Sequence, residues 1–409
     1  MKFIDDFKEF WRRQSWNYKV IMGRDFLQRL IGDAGQYWEL FISRLGATTI
    51  EIGLIRSISS AVNMLLAIPS GWLTDHTKRM KRLYIFGRGL YIPTMLMRFF
   101  ATTWPFCLLI NVWQTICMRI LGPASQIITI GSLRNEDRVT GLSLNRTIAS
   151  VAGIISPMIV AFVINYFGGL ESADGIRPLF LLQFIVWLGT SILLLTQLRE
   201  ITFKRQSHEK SFLSHFFGLF KEVPVLKLLL LRRCVMMFIN QLRMPFNSLY
   251  LVDVKGANEF ILGWRGTVST TLMVCLSIPI GRLAERFGRR RVAYFSRVCR
   301  WVTYLITIFT PLTHPEYLII ASLFDGLFMT LFIGWQAFDQ ELVPLESRGR
   351  FSGVTMLLNG VIGIFAPILG GLIWEINPDY IWWICLLGDA FLSLPLMIMI
   401  GRKFSKTKS

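Results

Sequence analysis

The stretch Gly71-Trp72-Leu73-Thr74-Asp75-His76-Thr77-Lys78-Arg79-Met80-Lys81-Arg82 closes a long apolar run. It recurs 210 positions later as Gly281-Arg282-Leu283-Ala284-Glu285-Arg286-Phe287-Gly288-Arg289-Arg290-Arg291. A proline stands two places before each leading glycine (Pro69, Pro279), and the helix expected before each copy opens on Ile52-Gly53 or Leu262-Gly263 at the same offset. One register therefore relates two halves of the chain.

The surroundings of both copies belong in a bilayer. With 409 residues, 53% of them apolar, and a mean hydropathy of +0.48, the chain has more apolar surface than a soluble core can bury. Charged residues, 17% of the total, gather between apolar runs of roughly 20 residues, the helix length that crosses ~30 Å of hydrocarbon. Barrel strands would be about 10 residues long with alternating polarity, and no such alternation runs through the sequence. The reading is an all-α membrane protein with twelve transmembrane helices.

The twelve spans fall near 20–43, 51–72, 83–103, 106–132, 143–167 and 178–198, then 226–251, 261–283, 292–312, 317–342, 351–375 and 381–401. The one long polar connection, 199–225, separates an N-terminal bundle (20–198) from a C-terminal one (226–401), with a leading segment 1–19 and a tail 402–409. In the leading segment Phe3, Phe7 and Trp11 recur every four residues among Lys2, Lys8, Arg12 and Arg13. That spacing suits an amphipathic helix on the membrane surface, or a solvated turn. Asp5, Asp6 and Glu9 occupy the place where a signal peptide needs its apolar region, so no cleaved signal is expected.

The net charge of +18 raises a nucleic-acid partner, which the distribution of the bases argues against. With a cytoplasmic N-terminus, Lys78 to Arg82, Arg134 and Arg138, the central connection, Arg282 to Arg291, Arg348 with Arg350, and the tail all fall on one side; only Arg44, Arg177 and Lys255 lie in loops on the other. The positive-inside rule then puts both termini in the cytoplasm, and a plasma (inner) membrane location is expected. The six cysteines sit in apolar runs without metal-ligand spacing and read as free, buried thiols. His76, His208, His215 and His314 are expected in loops, no nucleophile–base constellation stands out, and no Gly-x4-Gly-Lys-Ser/Thr loop is present to cradle ATP. The chain reads as neither an enzyme nor an ATP-driven pump, and no cofactor is expected.

The internal repeat extends further. Arg138-Val139-Thr140-Gly141 before the fifth span resembles Arg350-Phe351-Ser352-Gly353 before the eleventh, and Pro157 matches Pro367. A parallel repeat of six helices gives two pseudo-symmetric bundles related by an axis along the membrane normal. Gly-x-Leu-x-Asp followed by basic residues, between the second and third of twelve spans and again in weaker form between the eighth and ninth, resembles the signature loop of the major facilitator superfamily. The resemblance covers the whole chain. Lys78 stands where the family pattern has Gly, and Glu285 replaces the second Asp while Gly288 is kept.

The resemblance implies a secondary transporter whose signature loops, Gly71, Asp75 and Arg79 with Gly281, Glu285 and Arg289, form a conformational latch. On physical grounds a glycine lets another helix approach, and Asp75 could pair with Arg79 or sit at a helix N-terminus. The basic run could equally serve only to anchor topology.

Ionisable residues inside a membrane are costly and so are candidate sites. The first span carries Asp25, Arg29 and Asp33 at spacings of four, on one helical face. Asp33 is expected either to carry a proton or bind substrate, or to form a satisfied pair with Arg29. Arg119, mid-way along the fourth span, partly resembles the family's fourth-helix Arg motif; it would serve a central cavity or pair with a carboxylate such as Asp33. In the second half Gln241, Arg243, Asp325 and Asn359 lie within spans. The resemblance places the first, fourth, seventh and tenth helices around the cavity, which favours Arg243 and Asp325 over Asp389. Arg56, Arg98, Arg265 and Arg300 are expected to snorkel to the interface, and Arg24, Arg88, Arg232, Arg233 and Arg297 to act as boundary anchors. Gly360, Gly363, Pro367, Gly370 and Gly371 allow close packing and a bend.

The expected activity is movement of a small molecule by alternating access, as proton-coupled export of an organic or amphipathic compound by a monomer among membrane lipids. The alternatives are uptake of an organic anion, which Arg119 and Arg243 would suit, and a receptor that keeps the fold without transporting.

Overall fold

The computed structural model describes residues 9–134, 136–200, 224–343 and 348–408. Phe3 and Phe7 of the amphipathic segment, Lys204, Arg205, Lys210 and Lys221 of the central connection, and His208 and His215 lie outside them. Every regular element among the described residues is a helix. In chain order these are α1 (Trp16–Arg29), α2 (Trp38–Arg44), α3 (Thr49–Leu65), α4 (Ala67–His76), α5 (Met80–Phe99), α6 (Trp104–Gly131), α7 (Arg138–Tyr166), α8 (Ala173–Gln197), α9 (Pro224–Arg243), α10 (Glu259–Phe287), α11 (Arg289–Phe309), α12 (Tyr317–Leu342), α13 (Arg348–Ile376), α14 (Asp379–Gly388) and α15 (Leu394–Lys408).

Among the described residues seven stretches are helices long and apolar enough to cross a membrane, counting α14 and α15 as one through the turn Asp389–Ser393, and the bent pair α3 and α4 makes an eighth. The remaining stretches, α1 with α2, α5, α9 and α11, correspond to the first, third, seventh and ninth expected spans. Their arginines lower their hydropathy, as Arg88 and Arg98 do in α5 or Arg297 and Arg300 in α11.

The chain divides into two compact units, Met1–Phe41 with Leu65–Gln206, and Ile42–Met64 with Ser207–Ser409. In the first, Val20, Ile21, Tyr84, Leu121, Ile128 and Leu194 form a buried cluster. In the second, Leu226, Leu229, Trp335, Phe338, Phe351, Met397 and Ile400 do the same. Lipid tails are as apolar as these side chains, so inside the hydrocarbon their contact contributes van der Waals packing rather than dehydration. The polar contacts within each unit therefore carry more of its specificity.

The first and second spans are broken, for different reasons. α1 ends at Arg29, and Gly32–Tyr37 tightens into a 3-10 helix in which the Ala34 amide donates to Ile31 O. Gly32 and Gly35 supply the weak helix propensity that permits the change. In the second span α3 stops at Leu65, four residues before Pro69. A proline there has no N–H for the Leu65 carbonyl, and its ring crowds that carbonyl. Pro279 occupies the matching place, yet α10 runs through it unbroken, so proline permits the break and the surrounding packing decides whether it forms.

Within the second unit α3 lies antiparallel against α13. A methyl group on Gly371 would sit 2.8 Å from Ile50 Cα, one on Gly363 would sit 2.8 Å from Ser60 Oγ, and one on Gly360 would sit 2.8 Å from Met64 Cγ. On the other helix, a side chain at Gly53 would run into the Pro367 carbonyl. The glycine run thus serves close packing. At the end of this seam Arg44 pairs with Asp253 at 2.6 Å, and Thr49 Oγ1 donates to Glu375.

Candidate functional site

The second unit holds a group of three arginines around one carboxylate. Arg300, from α11, pairs with Asp325 of α12 and donates through Nε to Tyr304 OH at 3.0 Å. Arg243, at the end of α9, donates to Asn247 at 2.7 Å and places its guanidinium 5.2 Å from the Trp382 ring centroid and 6.0 Å from that of Tyr304. Its position follows from the chain just beyond it: α9 gives way to a 3-10 turn at Met244–Phe246, where Pro245 cannot continue the helical hydrogen bonding. Arg265, from α10, lies within electrostatic reach of Asp325, Arg243 and Arg300, and its buried Nε has no hydrogen-bond partner. Asp389 also acts on Arg300 but is itself paired with Arg297, so with that pair four guanidiniums stand against two carboxylates, an excess of two positive charges. Such a group can take an anionic ligand through fork-shaped, charge-assisted hydrogen bonds.

In the first unit the break in the first span sets the geometry. Asp33 Oδ1 lies 3.8 Å from Arg29, its backbone amide donates to Ser156 Oγ at 3.3 Å, and its buried Oδ2 has no hydrogen-bond partner. Arg29 needs the space at Gly153, where a methyl group would stand 2.9 Å from its Nε. The expected stripe of three charges resolves into a pair and a separate residue. Asp25 binds Arg24 and accepts from Asn145 at 2.9 Å. Arg119 is half-buried, with no hydrogen bond or ion pair among the described residues, and its buried Nε is unpartnered. It does not pair with Asp33.

Other expected residues lie elsewhere. Gln241 packs toward the α3–α13 seam, with Nε2 3.1 Å from a methyl position on Gly363. Asn359 is exposed on α13. Asp389 is held by Arg297 at 2.9 Å and by Trp301 Nε1 at 2.9 Å, a closed and buried pair. Around the signature loops, Gly71 and Gly281 face open space. Asp75, Arg79 and Glu285 are exposed, with no side-chain hydrogen bond or ion pair among the described residues, and Arg289 is also exposed.

Several arginines correct the expectations drawn from sequence. Arg24, Arg88, Arg232 and Arg297 are buried inside the units and not anchored at a boundary. Arg88, for example, is 1% exposed and donates to Ser191 at 2.7 Å and Thr190 at 2.8 Å. Arg98 and Arg300, expected to snorkel, are buried as well; Arg98 binds Gln114 and stacks on Trp38 at 4.0 Å. Depth along a helix set those expectations, and depth says nothing of the direction in which a side chain points. All six cysteines are free, but Cys275 is exposed and Cys234 half-buried. His76 ends α4 and stacks on Trp72 at 4.4 Å instead of lying in a loop.

A family model described as Major Facilitator Superfamily matches residues 34–244 and 229–408. No curated protein sequence matches the chain. Among solved structures, a mutant of the nucleoside transporter NupG superposes with a TM-score of 0.76 at 17% identity, covering 94% of this chain and 100% of that one. A bacterial homologue of the iron transporter ferroportin, in an inward-facing state, gives 0.71 at 15% identity, covering 94% and 98%. A POT family transporter in complex with 5-aminolevulinic acid gives 0.71 at 13% identity, covering 94% and 95%. These likenesses show the fold and not the cargo. With the family model matching both halves of its internal repeat, this chain is a member of the Major Facilitator Superfamily.

Proposed function

We propose that this transporter carries a small organic anion, bound by Arg243 and Arg265 beside the Arg300–Asp325 pair, and that a proton moving through Asp33 drives the cargo. The single observation behind the cargo class is the excess of guanidinium over carboxylate in that group. A carboxylate about 4 Å from a guanidinium gains about 4 kcal/mol at an effective dielectric of 20. An uncharged amphipathic cargo would leave that repulsion uncompensated, so the group favours an anion. Asp33 supports the coupling role because Oδ2 has no donor: it is the atom on which a proton would sit, while Oδ1 keeps Arg29.

The two six-helix bundles, 20–198 and 226–401, alternate between states in this reading, in a monomer of the plasma (inner) membrane with both termini in the cytoplasm. The signature loops act as the latch, with Asp75 and Arg79 as its charged members. Flux of labelled organic anions into proteoliposomes under imposed pH gradients of either sense tests the proposal and reads the direction, export or uptake. Asp33→Asn is expected to abolish the response to the gradient while the anion still binds; full coupling in this variant would remove Asp33 from the mechanism. Binding by the wild type without flux in either sense would favour the receptor reading.

A further inference from the structure

The turn between α4 and α5 and the first turn of α5 carry four basic side chains that are not used alike. Lys81 is engaged inside the first unit: its amide donates to Glu200 Oε1 at 2.9 Å and its Nζ to Leu195 O at 3.2 Å. Lys78, Arg79 and Arg82 make no side-chain hydrogen bond or ion pair among the described residues and stand exposed. Together with Thr77, Leu83 and Phe86 they line a shallow, open surface cavity of about 450 Å3. The Thr77 hydroxyl is turned inward to Leu73 O at 2.7 Å, so the polar face of the cavity is cationic. Its other face is apolar, and Phe86 is 60% exposed less than two helical turns below the basic rim. The cavity therefore joins uncompensated positive charge to an apolar ledge at the foot of two spans, on the side that the positive-inside bias assigns to the cytoplasm.

We propose that this cavity binds the headgroup of an anionic phospholipid, with Lys78, Arg79 and Arg82 around the phosphate and an acyl chain running along Leu83 and Phe86. Charge complementarity selects the occupant's headgroup, since three cations line the cavity and no carboxylate does. The ledge selects a lipid over a soluble phosphate. A free anion would use the rim and leave Phe86 untouched, whereas a lipid at this depth uses both. The site does not depend on the identity of the cargo.

Mass spectrometry of the intact purified protein, equilibrated with equal amounts of phosphatidylglycerol and phosphatidylcholine, reads the preference directly. Wild type is expected to retain phosphatidylglycerol selectively. Lys78→Gln with Arg82→Gln is expected to lose roughly thirtyfold of that preference, and Phe86→Ala to weaken retention of the lipid without affecting association of inorganic phosphate. Lys81→Gln removes the same charge from a neighbouring position that lies outside the cavity lining and should leave the preference intact. Equal loss in Lys81→Gln would reduce the effect to net charge and overturn the site. So would an unchanged preference in the double variant, or displacement of the lipid by millimolar inorganic phosphate.

Discussion

Arg243 and Arg265 matter because of what surrounds them. Arg243 stacks beside Trp382 and is tethered by Asn247, so a guanidinium plane is part of the arrangement and an ammonium does not replace it. Arg243→Lys is expected to weaken anion binding about tenfold, a loss of about 1.4 kcal/mol, measurable by titration calorimetry of the purified protein. The Arg297–Asp389 pair makes a different prediction. Both partners are buried, so Arg297→Met leaves an uncompensated carboxylate and should cost about 3–5 kcal/mol, seen as a large fall in melting temperature. Arg297→Met combined with Asp389→Leu should recover most of the loss, because removing both charges also removes the cost of burying them. At this scale the sequence identified the ionisable residues inside spans but not their partners. Asp25, Arg29 and Asp33 share a face only while the helix continues, and the helix ends at Arg29. Arg265 and Arg300 looked peripheral by depth, although Arg300 pairs with Asp325 and Arg265 lies within electrostatic reach of it.

Among the elements, the α3–α13 seam gives the sharpest expectation. Gly53 lies against the backbone carbonyl of Pro367, and backbone cannot move aside as a flexible side chain can. Gly53→Val should force the helices apart, lowering the melting temperature and abolishing exchange. Gly189→Ala in α8, where a methyl group meets nothing within 4 Å, should be tolerated and gain about 1 kcal/mol of helix propensity. The signature loop makes a kinetic prediction instead. Asp75→Asn should slow or bias the passage between states, measured by distances between spin labels, with cargo affinity in a locked conformation nearly unchanged. The glycine run on α13 was legible as a close-packing surface from its composition. Its partner was not, because nothing in the sequence says that the stretch 42–64 clusters with the second half.

For the whole molecule, the repeat from Gly71 to Gly281 and the one-sided distribution of basic loops made the fold legible in the chain itself, and the match of a family model to both halves agrees with it. That legibility has a physical origin: a bilayer demands long apolar helices, and a duplicated bundle keeps its register. The cargo has no such imprint. In the function proposed above it depends on three arginines from α9, α10 and α11 gathered near Asp325 of α12, distant in sequence and assembled only by packing. The most direct test is counterflow in proteoliposomes, loaded with unlabelled candidate compounds and presented outside with a labelled organic anion. Organic anions inside should accelerate entry of the label in wild type, and Arg265→Gln should lower that acceleration at least tenfold while the protein's melting temperature is kept. Acceleration by cationic or uncharged compounds alone, or full exchange of anions by Arg265→Gln, would contradict the account.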